Sequence, residues 1–163
     1  MDNVRLLFGK PRTKDKDIFL AELRDIQKEY NCIIQALDAD KVVSEKHAHF
    51  AAEKALRAFS ENRNVARDVG LEILRYASGQ KQIERALSMG ISKATQRVAL
   101  ILVENGIKPD IANVFEADGR GPSWNPEIVM DTFDVQEEEI MTVGKERIPD
   151  LVLERVALVD AYR

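Results

Sequence analysis

Apolar positions along this chain fall in two patterns: short unbroken runs, and longer stretches spaced by three and four. The short runs predict strands. These are Val4–Phe8 (VRLLF), closing at Gly9, then Cys32–Leu37 (CIIQAL), then Val98–Val103 (VALILV). The third is apolar without alternation, as expected of a central strand covered on both faces. The spaced stretches predict helices. Asp17–Tyr30 carries Ile18, Leu20, Ala21, Leu23 and Ile26, with Asp17 as the cap and Asn31 as the stop. Ser44 opens a helix to about Glu61, whose inner face is Ala48, Ala51, Ala52, Ala55, Leu56 and Phe59. That many alanines predict close packing against another element.

The stretch Leu71–Gly90 (LEILRYASGQKQIERALSMG) predicts two helices around a break at Ser78-Gly79. The first half starts near Ala66 and is nearly all apolar, which suits burial on more than one side. Arg75 interrupts it. If Arg75 faces the core, this register is wrong; if it faces out, it adds a basic group. The second half carries Ile83, Ala86 and Leu87, and Gly90 is expected as a left-handed stop backed by Ile91. Lys108–Ala117 is mixed in character, and Asp118–Trp124 is a loop. Asn125 caps Pro126–Phe133, with proline at the favoured first position. A second short helix lies within Asp134–Val143. Asp150 is expected to cap a final helix, Leu151–Tyr162, apolar around most of its circumference. Such a helix is either buried deeply or keeps one face for a partner. The order predicts one domain over residues 1–163, α/β (mixed α+β), with a small, mostly buried mixed sheet and helices packed around it.

Composition narrows the class. The chain has 163 residues, 45% of them hydrophobic and 32% charged, as in an ordinary soluble domain. No apolar run is long enough for a membrane helix. MDNVRLLFGK, acidic at its second position, does not read as a signal peptide. Cys32 is the single cysteine, so an internal disulfide and a cysteine zinc site are out, and the expected compartment is cytoplasmic.

The net charge of −4 hides a segregation. Residues 63–97 hold seven basic and three acidic side chains, whereas 98–163 hold six basic and fourteen acidic. The basic third either forms a patch for a polyanion or is a solvated face.

Candidate chemistry is sparse. His47 and His49 lie two apart and diverge on a helix, so they are no metal pair. Glu137, Glu138 and Glu139 diverge likewise and suit a helix start. Gly119-Arg120-Gly121 matches neither phosphate-loop spacing nor its context. No nucleophile motif, zinc pattern or cofactor fingerprint occurs. No catalytic residue, metal or cofactor is therefore assigned.

The runs SEKHAHFAAEKALRAF, ARDVGLEILRYASGQKQIERALSMGI, VALILVE and LVLERVALVD together resemble the small kinase-binding subunit of the KEOPS complex, in an archaeal form. The human relative is the PRPK-binding protein. The resemblance spans most of the chain in the right order, and EILRYASGQKQI is its most specific part. It implies a single mixed α/β domain with no catalytic role of its own. It also implies binding to the kinase-like ATPase subunit, indirect contact with the other KEOPS subunits, and recruitment of tRNA by its 3′ CCA end. The tRNA would then receive threonylcarbamoyl on an adenosine beside the anticodon. No membrane or DNA partner is expected.

Beside that resemblance, the residues point to two places. Basic side chains neutralise phosphates, and splayed bases need stacking and hydrogen-bonding groups. Arg63, Arg67, Arg75, Lys81, Arg85, Lys93 and Arg97 supply charge. Gln80 and Gln82 supply amides, Gly79 a close approach, and Tyr76 or Arg75 a stacking surface. On the final helix, Val156, Val159 and Tyr162 are the expected kinase contacts. The competing readings are a small α/β enzyme and a purely structural adaptor without RNA binding.

Overall fold

A computed structural model describes residues 3–161. Four strands form one sheet in the order β2-β3-β1-β4. They are β1 (Val4–Pro11), β2 (Ile33–Asp38), β3 (Val98–Val103) and β4 (Phe115–Ala117). Every pairing is antiparallel, so the sheet is not mixed in strand direction, although the mixed α/β class holds. β3 is central and all six of its residues are buried. Its Val98, Leu100 and Leu102 enter one core and its Ala99, Ile101 and Val103 the other, which is why the run does not alternate.

β1 does not close at Gly9. It runs on to Pro11 because β4 crosses there, with Gly9 opposite both Val98 and Ala117. A Cβ on Gly9 would collide with the Glu116 carbonyl, so only glycine admits this crossing. β4 occupies the end of the stretch whose sequence was ambiguous.

One sheet face is covered by α1 (Lys16–Tyr30), through Phe19 and Leu23. Its cap is Asp15 rather than Asp17: the Asp15 carboxylate accepts from the N–H groups of Asp17 and Ile18, at 2.9 and 3.2 Å. Asn31 does stop it, in the left-handed conformation at φ 49°.

The other face carries the larger core. It is built by α2 (Glu45–Ser60) and α3 (Val69–Ser78), with α5 (Pro126–Thr132) and α7 (Ile148–Leu158) beside them. Ser44 caps α2 as expected, and Asn125 caps α5 with Pro126 behind it. Ala48, Ala51, Ala52, Ala55 and Ala58 are fully buried, which brings the α2 backbone close to its neighbours. α3 starts at Val69, capped by Asp68, so Ala66 is buried in the preceding loop and not in a helix. The second half of the 71–90 stretch is shorter than expected. It is one turn, α4 (Ile83–Ala86), then a 3₁₀ turn at Leu87–Met89. Gly90 lies at φ −75° and is not left-handed; Gly79 is, at φ 68°. α6 (Glu137–Val143) precedes a 3₁₀ turn and α7. α7 begins at Ile148-Pro149 with Arg147 as its cap residue, and Asp150 lies inside it, paired with Arg147. Among the described residues no helix is long and apolar enough to cross a membrane.

Candidate functional site

The loop leaving α3 gathers Gly79, Gln80, Lys81, Gln82 and Arg85 around an open depression of about 310 Å³. Three residues, His47, Ser78 and Gly79, fix the end of α3 beneath it. His47 of α2 is fully buried: its Nδ1 accepts from the Val43 N–H at 3.2 Å and its Nε2 donates to the Ala77 carbonyl at 2.8 Å. Burial pushes this imidazole down to about 4, so it stays neutral. Ser78 Oγ donates to the Arg75 carbonyl and accepts from the Gln80 N–H, closing the corner. The Gly79 N–H returns to the Tyr76 carbonyl at 3.1 Å.

Gly79 does permit a close approach, but α7 occupies it. A Cβ there would lie 3.0 Å from Arg155 Cβ. Arg155 in turn donates to the carbonyls of Phe133 and Asp134 and pairs with Glu139 at 3.0 Å. The loop therefore rests on a helix that is itself braced.

Of the seven basic residues, the structure withdraws two. Arg75 is 2% exposed, and its Nε lies 2.6 Å from Glu72 Oε1. Glu72, fully buried, also accepts from the N–H groups of Val65 and Ala66. Arg75 thus faces the interior, yet the helix register stands, because a buried carboxylate three residues earlier meets it. Arg97 is buried too, bidentate to Asp118 at 2.7 and 3.0 Å. The Arg97 hydrogen bond holds the Asp118 carboxyl down at about 2.

Tyr76 offers no stacking surface. Its ring is fully buried, and its hydroxyl donates to Asp160 at 2.6 Å. Burial, and then this bond, raise its pKa. Arg63 is half-buried and engages Glu61 and Asp160. Arg67 is exposed at the opposite end of α3, roughly 15 Å away along a ten-residue helix. Lys81, Arg85 and Lys93 are exposed beyond the break. The structure therefore brings together Lys81 and Arg85 with two glutamine amides, and separates Arg67 from them. Lys41, which no sequence pattern singled out, reaches the neighbouring Ser88 carbonyl at 2.6 Å.

On α7 the expected contacts also turn inward. Val156 and Val159 are 0% and 3% exposed, in the same core as Val152. Tyr162 lies outside the described residues. The outward positions are Glu154, Ala157, Leu158 and Ala161.

The depression holds two cations and two neutral amides, with no His, Cys, Ser, Asp or Glu among its lining residues. Among the described residues no group of three or more His, Cys, Asp or Glu could hold a metal. Comparison with curated proteins yields no match. A family model does match, over residues 15–160, and covers both the 71–90 stretch and α7. The description of that family is kinase binding protein CGI-121, and this chain belongs to it.

Proposed function

We propose that this chain is a non-catalytic adaptor that joins tRNA to the kinase-like ATPase subunit of KEOPS. The kinase reading rests on the family. The RNA reading rests on one observation: Lys81, Arg85, Gln80 and Gln82 converge on an open depression at the strongest family motif. Cations there neutralise phosphate, and the amides hydrogen-bond the edges of unstacked bases, the combination a single-stranded 3′ CCA end requires. With Tyr76 and Arg75 buried, stacking is not the main source of affinity. The kinase-like subunit docks on the outward face of α7, where Leu158 is 38% exposed between small Ala157 and Ala161. Small residues let a partner backbone come close. The chain acts in the cytoplasm, within the complex that installs threonylcarbamoyladenosine.

Co-purification with the kinase-like subunit, followed by tRNA binding with and without the CCA end, tests both parts. Tailed tRNA binds more tightly, and Leu158→Asp loses the kinase while keeping its melting temperature. Equal affinity for tailed and tailless tRNA removes the CCA assignment. Kinase binding without tRNA binding leaves a structural adaptor.

A further inference from the structure

The acidic C-terminal third contains a second concave surface, far richer in apolar atoms. An open groove of about 910 Å³ runs between α5 and α6. Its apolar lining includes Met130, Val135, Ile140 and Met141. Met141 is 86% exposed, the most exposed large apolar side chain among the described residues. The rim carries Glu127, Asp131, Asp134 and Glu137 against the single cation Lys145. Among the described residues, Glu127, Asp131 and Glu137 have no basic partner.

The groove is held in shape. Arg155 binds the Phe133 and Asp134 carbonyls at the α5–α6 corner, at 2.6 and 3.1 Å. The Val135 N–H donates to the Met130 carbonyl at 2.8 Å, and the Glu139 side chain caps α6 by accepting from the Gln136 N–H. An apolar lining that stays open can receive apolar side chains, and methionines adapt to several shapes. The acidic rim decides what carries those side chains. It repels nucleic acid and anionic membrane, and it attracts lysine and arginine.

We propose that the α5–α6 groove receives a cationic amphipathic segment of a protein partner. Large apolar side chains of that segment sit on Met130, Ile140 and Met141, and its basic side chains pair with Asp131 and Glu137. This surface is distinct from the depression around Lys81 and from the outward face of α7.

The test is fluorescence anisotropy with three labelled synthetic peptides of equal length. One alternates leucine and arginine at helical spacing, one has glutamate for every arginine, and one has serine for every leucine. The Leu/Arg peptide binds. The Glu peptide does not, and the Ser peptide binds at least about tenfold more weakly. Met141→Lys and Glu137→Lys each weaken the Leu/Arg peptide about tenfold. Both positions are exposed, so circular dichroism of the variants should match the parent. Lys28→Glu, exposed on α1, leaves binding of the Leu/Arg peptide unchanged. Equal binding of the Leu/Arg and Ser/Arg peptides, or unaltered binding by Met141→Lys, overturns the proposal. So does self-association in sedimentation that Met141→Lys abolishes, since the occupant is then a second copy of the chain.

Discussion

A Cβ placed on Gly79 would stand 3.0 Å from the Cβ of Arg155, so the loop after α3 is seated directly against α7. The contact coincides with a backbone that favours glycine, at φ 68°. Gly79→Ala therefore meets both a left-handed conformation and a crowded neighbour. The expected loss is about 2 kcal/mol. For a chain of this size that lowers Tm by about 4–8 °C. Thermal unfolding measures it. An unchanged Tm would mean that α7 yields freely and does not seat the loop.

Glu72→Ala should be more damaging. It leaves Arg75 charged and buried, and it orphans the Val65 and Ala66 N–H groups. Breaking a buried pair from one side costs about 3–5 kcal/mol. Replacing both Glu72 and Arg75 by methionine should recover only part of this, because the two backbone donors stay unsatisfied. Urea denaturation of the single and double variants distinguishes the contributions. Full recovery in the double variant would show that the 65–66 backbone does not depend on Glu72.

His47 gives stability a pH dependence of definite sign. Its value is about 4 in the folded protein and 6.5 ordinarily. Above the ordinary value both states are neutral, and stability is at its full level. As pH falls from 6.5 towards 4, the unfolded chain takes up a proton that the folded chain refuses. The accumulated loss is about 3 kcal/mol. Below that window the folded form also protonates and the loss levels off. His47→Gln should flatten Tm against pH across this window. A slope unaltered in the variant would assign the loss to carboxylates.

Charge at the loop is tested by salt. Lys81→Glu with Arg85→Glu should weaken tRNA binding and reduce the slope of log affinity against log salt by about 1.4, at about 0.7 per phosphate contact on a single strand. Arg67→Glu, at the other end of α3, should leave the slope unchanged. A slope altered by Arg67 and not by the pair would move the RNA to the α3 N-terminus.

Much of the fold is legible in the chain because local chemistry dictates it. VALILV can only be a strand covered twice, and Asn125-Pro126 and Ser44 carry their caps with them. Where several residues could do the same job, the backbone decides. Asp15 and Asp17 both suit a cap, and Gly79 and Gly90 both suit a left-handed stop.

The site was harder to read because it depends on what faces inward. Two signals were present all the same. Glu72 and Arg75 are three apart on an otherwise apolar helix, the spacing of an internal pair. Val152, Val156 and Val159 share one helical face, and α7 needs that face for the core. By contrast, the pairing of Tyr76 with Asp160 joins residues 84 positions apart, and no local pattern announces it.

The alanine face of α2 also bears on how the loop responds to a ligand. Alanine side chains have no rotamers to lose on folding, so this contact adds no side-chain entropy cost to that of the backbone. For the same reason it has no alternative arrangement to offer: Ala48, Ala51, Ala52, Ala55 and Ala58 cannot repack. Under the proposed function, an RNA end on the 79–85 loop would therefore meet a support whose helices keep their positions.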